Sequence, residues 1–126
     1  MTLLDTNVLI LAIKQHPKAL GILNEAIESK SLLISVISIA EIYTKIDPQD
    51  ETIISALASK FPPYPVDSDV AIKAAKIKSS QKPGTGRKQM LDCLVAATAK
   101  INGAKLVTFD KGFSSFKGLD LKILEL

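Results

Sequence analysis

The chain contains one cysteine, Cys93, and one histidine, His16. A lone cysteine excludes an internal disulfide. Neither residue has the partners that a zinc site or a histidine-based triad requires. Cys93, in an apolar stretch beside Asp92, reads as a small buried hydrophobe. No apolar run reaches the length of a membrane span, and Asp5 and Lys14 break the apolar start that would mimic a signal peptide. The expectation is a cytoplasmic protein without membrane contact. Glycine is sparse, at 6 residues, and Gly84 and Gly86 follow no strand. A P-loop and a dinucleotide fingerprint are therefore absent, as are internal repeats and low-complexity segments.

What is present suits one domain over residues 1–126, 47% hydrophobic and long enough to bury a core. Leu3-Leu4 reads as a short buried strand, followed by a helix through Val8 to Leu11 that Asp5 or Thr6 can cap. Pro17 is placed to start a second helix. Residues 31–35 read as the second strand and 37–46 as an apolar helix. Ile53, Ile54 and Leu57 mark another helix, and the proline-rich run 61–66 reads as the entry to a short third strand near an edge. A capped helix from Asp67 or Ser68, a helix over 89–102 and strands over 105–109 and 119–124 complete the chain. Strand–helix alternation predicts a single-domain α/β fold with a parallel, doubly wound sheet.

Four acids stand out against this pattern. Asp5 follows the first strand, Glu41 lies within an apolar helix, Asp92 opens the 89–102 helix, and Asp110 ends the strand at 105–109. In a doubly wound sheet, ligands sit beyond the carboxyl ends of the strands, and helices that follow strands start on that side. All four acids are thereby expected on one rim. Singly, Asp5 reads equally as a helix cap, Asp92 as a first-turn carboxylate and Asp110 as a turn starter. Jointly they predict a site that protons or a cation must neutralise. Without supporting histidine or cysteine, that cation is a hard one, Mg²⁺ or Mn²⁺.

The charge balance fits a polyanion. With 16 basic and 13 acidic residues the formal charge is +3, and gathering four acids in one pocket leaves the rest of the surface basic. A solvated lysine-rich surface accounts for the charge equally well. The loop 81–88 is basic and rich in Gly and Pro, and Lys82, Arg87 and Lys88 are candidates to contact a phosphate backbone. It reads equally as an ordinary connection.

Leu4-Asp5-Thr6-Asn7, Ser38-Ile39-Ala40-Glu41, Asp92 followed by Ala96-Ala97-Thr98-Ala99, and Thr108-Phe109-Asp110, in this order and spacing, resemble the PIN-domain nucleases. The short length resembles the VapC-type toxins of prokaryotic toxin–antitoxin pairs. The resemblance implies a three-layer α/β/α sandwich with strand order 3-2-1-4-5. It also implies a Mg²⁺- or Mn²⁺-dependent endoribonuclease, typically a homodimer silenced by a cognate antitoxin. Asp5, Glu41, Asp92 and Asp110 match the acidic quartet that holds the metal, and Asn7, Ser38 and Thr108 match supporting polar positions. An ion held there would activate water and offset charge on the phosphate. Other readings stay open: an RNA-processing PIN protein that is not a toxin, cleavage of DNA, a nuclease-dead binding module, and a phosphoacceptor receiver domain. Against the last, Asp5 is followed by Thr6-Asn7 rather than by a second acid. An apolar face around Leu11, Leu20 and Leu23 reads equally as dimer surface and as core.

Overall fold

The computed structural model describes residues 1–82, 84 and 88–125. Its sheet has four strands, all parallel: β1 (Thr2–Leu4), β2 (Leu32–Leu33), β3 (Lys105–Thr108) and β4 (Leu121–Ile123), in the order β2-β1-β3-β4. Among the described residues six α-helices accompany them: α1 (Thr6–Ile13), α2 (Pro17–Glu28), α3 (Val36–Tyr43), α4 (Glu51–Lys60), α5 (Ser68–Ser80) and α6 (Met90–Ile101).

The strands are too short for pattern alone to fix them, yet their two-residue alternation divides the core cleanly. Leu3 pairs in register with Leu33 and Leu106. These three face one layer, where they pack with Val70, Ala74 and Ile77 of α5 and with Cys93, Ala96 and Ala97 of α6. Leu4, Leu32 and Val107 face the other layer, with Val8 and Leu9 of α1, Leu23 of α2, Ile42 of α3 and Ile54 of α4. Successive side chains point to opposite faces, so each Leu-Leu pair feeds both layers at once. The result is an α/β/α sandwich. Small residues let α6 lie close to the sheet, where Ala96, Ala97 and Ala99 have no exposed surface. Gly103, at φ +60°, ends that helix in a left-handed conformation that costs a glycine little.

The strand expected at 61–66 is reduced to a single parallel bridge between Ser35 and Tyr64. Tyr64 N–H donates to the Ile34 carbonyl at 2.7 Å, and Val36 N–H donates to the Tyr64 carbonyl at 3.1 Å. Pro62, Pro63 and Pro65 have no N–H to extend the ladder. Among the described residues the sheet therefore has the order β2-β1-β3-β4, and a strand at the third position of the expected order 3-2-1-4-5 is present only as this bridge. Helix α3 ends at Tyr43, three residues before the expected end. Cys93 is fully buried. Of the early apolar residues, Leu23 belongs to the core while Leu11 and Leu20 are half-buried. Among the described residues, no helix is long and apolar enough to cross a membrane.

Candidate functional site

Asp5 stands where β1 becomes α1. Its N–H continues the sheet ladder to the Val107 carbonyl at 3.0 Å, and its own carbonyl accepts the first helical bond from Leu9. Its side chain caps the helix, Oδ1 accepting from Thr6 N–H at 2.9 Å. The ladder to β3 brings the neighbouring Thr108 hydroxyl within 2.7 Å of Asp5 Oδ2, to which it donates. Thr108 is fully buried, and its hydroxyl oxygen also accepts from Asp110 N–H at 3.0 Å. One hydroxyl thus orients two of the four acids.

Glu41 comes from α3, whose start is capped by Ser35 Oγ accepting from Ile37 N–H at 3.1 Å. The Thr6 hydroxyl donates to Glu41 Oε1 at 2.7 Å, tying α3 to the first turn of α1. One turn before Glu41, Ser38 is buried and its Oγ has no partner among the described residues. A buried hydroxyl left unmatched is costly and rare. Asn7 is exposed, and its side chain makes no hydrogen bond among the described residues.

Asp92 lies in the first turn of α6. It meets Asp110 through Lys88, whose Nζ forms an ion pair with Asp110 Oδ2 and lies 3.4 Å from Asp92 Oδ2. Asp110 also starts the 3₁₀ turn Lys111–Ser115, Oδ1 accepting from Gly112 N–H at 2.8 Å. The quartet therefore divides in two. Asp5 and Glu41 are held by hydroxyls, Asp92 and Asp110 by a lysine, and Thr108 joins the halves.

The electrostatics follow this division. Burial pushes the Asp5 carboxyl above the usual aspartate range, and the negative charges of Asp92 and Glu41 add to the rise against the opposing hydrogen bonds from Thr108 and Thr6. The Lys88 ammonium holds Asp110 below that range. Burial pulls Lys88 towards its neutral form, but its pairs with Asp110 and Asp92 outweigh this, and its pKa lies above the usual lysine value.

The donors are all carboxylate and hydroxyl oxygens, a set that suits a hard divalent cation. As the side chains stand, no group of three or more His, Cys, Asp or Glu among the described residues is gathered closely enough to hold an ion. Thr6 and Lys88 occupy carboxylate oxygens that such an ion would use.

A cleft of about 530 Å³ is lined by Lys73, Lys76, Lys82, Lys100 and Lys117, with Ile77 and Phe116 in its wall. A second hollow of about 380 Å³ shares Lys73, Lys76 and Lys100 and adds Asp69, Ile72 and Ile101. The four acids line neither. Two contacts connect cleft and acids. Gln81 in the cleft wall accepts from Lys88 N–H through Oε1 at 3.0 Å. Phe116 meets Phe113 edge-to-face at 5.5 Å, and Lys88 Nζ sits 4.8 Å from the centre of the Phe113 ring.

Of the residues singled out in the sequence, Thr108 links Asp5 to Asp110, Lys88 links Asp110 to Asp92, and Thr6 links Glu41 to the start of α1, with Ser38 one turn from Glu41. Lys82 lies in the cleft, Lys88 lies between two acids rather than among the cleft lysines, and Arg87 falls outside the described residues. Thr6 was legible only as an alternative cap; its bond to Glu41 spans 35 positions and leaves no local pattern.

The family described as PIN domain matches residues 2–119. No curated protein matches the chain. Among solved structures, the fold is similar to VapBC2 from Rickettsia felis bound to a promoter DNA fragment, with TM-score 0.75, 22% identity and 98% of each chain covered. It is similar to DNA-bound VapBC from Salmonella typhimurium, at 0.75, 23% and 98% of each chain. It is also similar to FitAcB from Neisseria gonorrhoeae, at 0.74, 24% and 96% of each chain.

Proposed function

Since the chain belongs to the PIN-domain family, we propose that it is a metal-dependent endoribonuclease, the toxin of a VapBC-type toxin–antitoxin pair. The carrying observation is the chain of contacts by which Thr6, Thr108 and Lys88 link Asp5, Glu41, Asp92 and Asp110 from four separate segments. The raised Asp5 carboxyl supports it, because a buried group repelled by two further acids favours a bound cation. Asp5, Glu41, Asp92 and Asp110 would hold Mg²⁺ or Mn²⁺. When bound, that ion supplies the Lewis acidity that activates water and offsets charge on the phosphate.

The chain's own side chains prepare the site. Thr108 fixes Asp5 by donating to Oδ2 and fixes Asp110 by accepting its N–H, while Thr6 fixes one oxygen of Glu41. Such partners hold ligating carboxylates in place. The unmatched Ser38 hydroxyl is available to a carboxylate or a water. The lysine cleft, linked to the acids through Gln81 and Lys88, would offer ammonium groups to successive phosphates of an RNA strand. Similarity to a toxin–antitoxin complex from Klebsiella pneumoniae supports a cognate antitoxin, and a homodimer acting in the cytoplasm belongs to the same reading.

The test is cleavage of mixed structured and single-stranded RNAs with Mg²⁺, Mn²⁺ or EDTA, comparing wild type with Asp92→Asn. Cleavage should require metal and fall at least about a hundredfold in the variant. Undiminished cleavage by the variant would remove Asp92 from the site, and absence of both cleavage and metal binding would overturn the reading. Growth arrest relieved by co-expressing a small DNA-binding partner would distinguish a toxin from an RNA-processing enzyme.

A further inference from the structure

Lys88 is held more firmly than a surface lysine needs. Its backbone N–H donates to Gln81 Oε1 at 3.0 Å, and its carbonyl accepts from Lys78 Nζ at 2.6 Å. Its side chain is only 12% exposed. The ammonium lies between Asp92 and Asp110 and over the Phe113 ring. Gly112 leaves room for it: a Cβ there would come within 3.1 Å of Lys88 Cδ and 3.3 Å of Nζ. A lysine is a point charge on a flexible stem, able to neutralise two carboxylates and to swing away from them.

We propose that Lys88 is a built-in competitor for the cation site, its ammonium and a divalent ion contending for the same carboxylates of Asp92 and Asp110, so that metal loading displaces the lysine. This rests on the metal-binding reading of the quartet. The competition follows from the oxygens involved. Asp110 Oδ1 is engaged by Gly112 N–H, which leaves Oδ2, the oxygen that Lys88 occupies, as its outward donor. The Asp92 oxygen nearest Lys88 is likewise shared. A divalent ion carries twice the charge of the ammonium it replaces and draws more carboxylates around it. The released ammonium has the Phe113 ring to one side and the lysine cleft beyond Phe116.

The device makes ion uptake an exchange of one cation for another. Metal affinity is lowered, and the acids are compensated without the ion. The side chain that leaves also becomes exposed when the site is loaded.

The experiment is residue-resolved acylation of the wild-type chain with an amine-reactive ester, read by mass spectrometry during titration with Mn²⁺ alone. Calorimetry under the same conditions gives the binding curve. Lys88 labelling should be slow without Mn²⁺ and rise about tenfold or more along that curve, while exposed Lys60 stays constant. Lys88→Met should bind Mn²⁺ about five- to tenfold more tightly, the scale of losing two partly exposed ion pairs. Lys88→Arg, which keeps the charge, should not. Mn²⁺ binding with unchanged Lys88 labelling would overturn this inference and leave the nuclease reading standing, as would unchanged affinity in a folded Lys88→Met. No Mn²⁺ binding by the wild type would overturn both.

Discussion

Thr108→Val isolates the hydroxyl at the centre of the site. Valine matches threonine in shape, so the substitution opens no cavity in a fully buried position. What it removes is the donor to Asp5 Oδ2 at 2.7 Å and the acceptor for Asp110 N–H at 3.0 Å. A hydrogen bond to a charged group contributes more than a neutral one, and the half-exposed Asp110 region lets water replace part of the loss. The net cost should be about 2 kcal/mol. For a domain of this size that lowers the melting temperature by about 6–12 °C.

The pH dependence of that loss carries the sharper test. Asp5 already has a folded-state pKa above the usual aspartate value, burial being the main cause and the Thr108 bond opposing it. A carboxyl raised on folding contributes stability that is fully present below its unfolded pKa and is lost as pH rises through the folded value. Removing Thr108's hydroxyl raises the Asp5 pKa further. The variant must therefore fall further behind wild type as pH climbs from about 4 towards 7. Thermal unfolding in EDTA at several pH values measures this directly. Thr108→Ser, which keeps the hydroxyl, should lose stability by a constant amount across the range. A Thr108→Val deficit that is flat with pH would refute the role assigned to the Asp5 bond.

Asp110 titrates in the opposite sense. Lys88 lowers its pKa, so its contribution is present above the usual aspartate value and lost as pH falls through the folded one. Asp110→Asn should cost under about 1 kcal/mol at neutral pH, since the pair is partly exposed, and should flatten stability below pH 4, as denaturant titration would reveal. Replacing Lys73, Lys76 and Lys100 together by Ala should leave Mn²⁺ binding intact and weaken single-stranded RNA binding. It should also reduce the salt slope of log K by about 2, measured by fluorescence anisotropy. Ile54→Ala should cost about 2–5 kcal/mol in thermal unfolding, because Ile54 is the one fully buried anchor of α4.

The parts of the fold legible in the sequence were those written locally. Asp5 and Asp110 end strands, and strand ends fix the side of the sheet on which a side chain emerges. Pro17, Asp67 and Gly103 mark helix ends, each by its own backbone or capping chemistry. The run 61–66 misled for a physical reason, since extended character without N–H donors gives a bridge at Tyr64 and no strand. The lysine cleft escaped because Lys73 and Lys76 lie far in sequence from Lys100 and Lys117, and each alone reads as solvated surface. Lys88 carried a signal, its four-residue spacing to Asp92 at the start of α6, but the loop composition drew attention to phosphate contact.

The division of the quartet explains why counting acids was enough to find the site and too little to describe it. Four carboxylates cannot approach one another without compensation, so each must have a local partner that the sequence does not pair with it. Asp5 takes two donors adjacent to it in the fold, Thr6 N–H through the helix cap and Thr108 through the sheet ladder. Glu41, on α3 in the same layer as α1, has the Thr6 hydroxyl as its side-chain partner among the described residues. Asp92 and Asp110, on the half-exposed side, share the Lys88 ammonium. The half-buried Asp5 takes a hydroxyl and an amide, and the exposed Asp110 takes the ammonium of a largely buried lysine. The displaceable partner is thus the one bound to the exposed Asp110, and the fixed partners are those of Asp5.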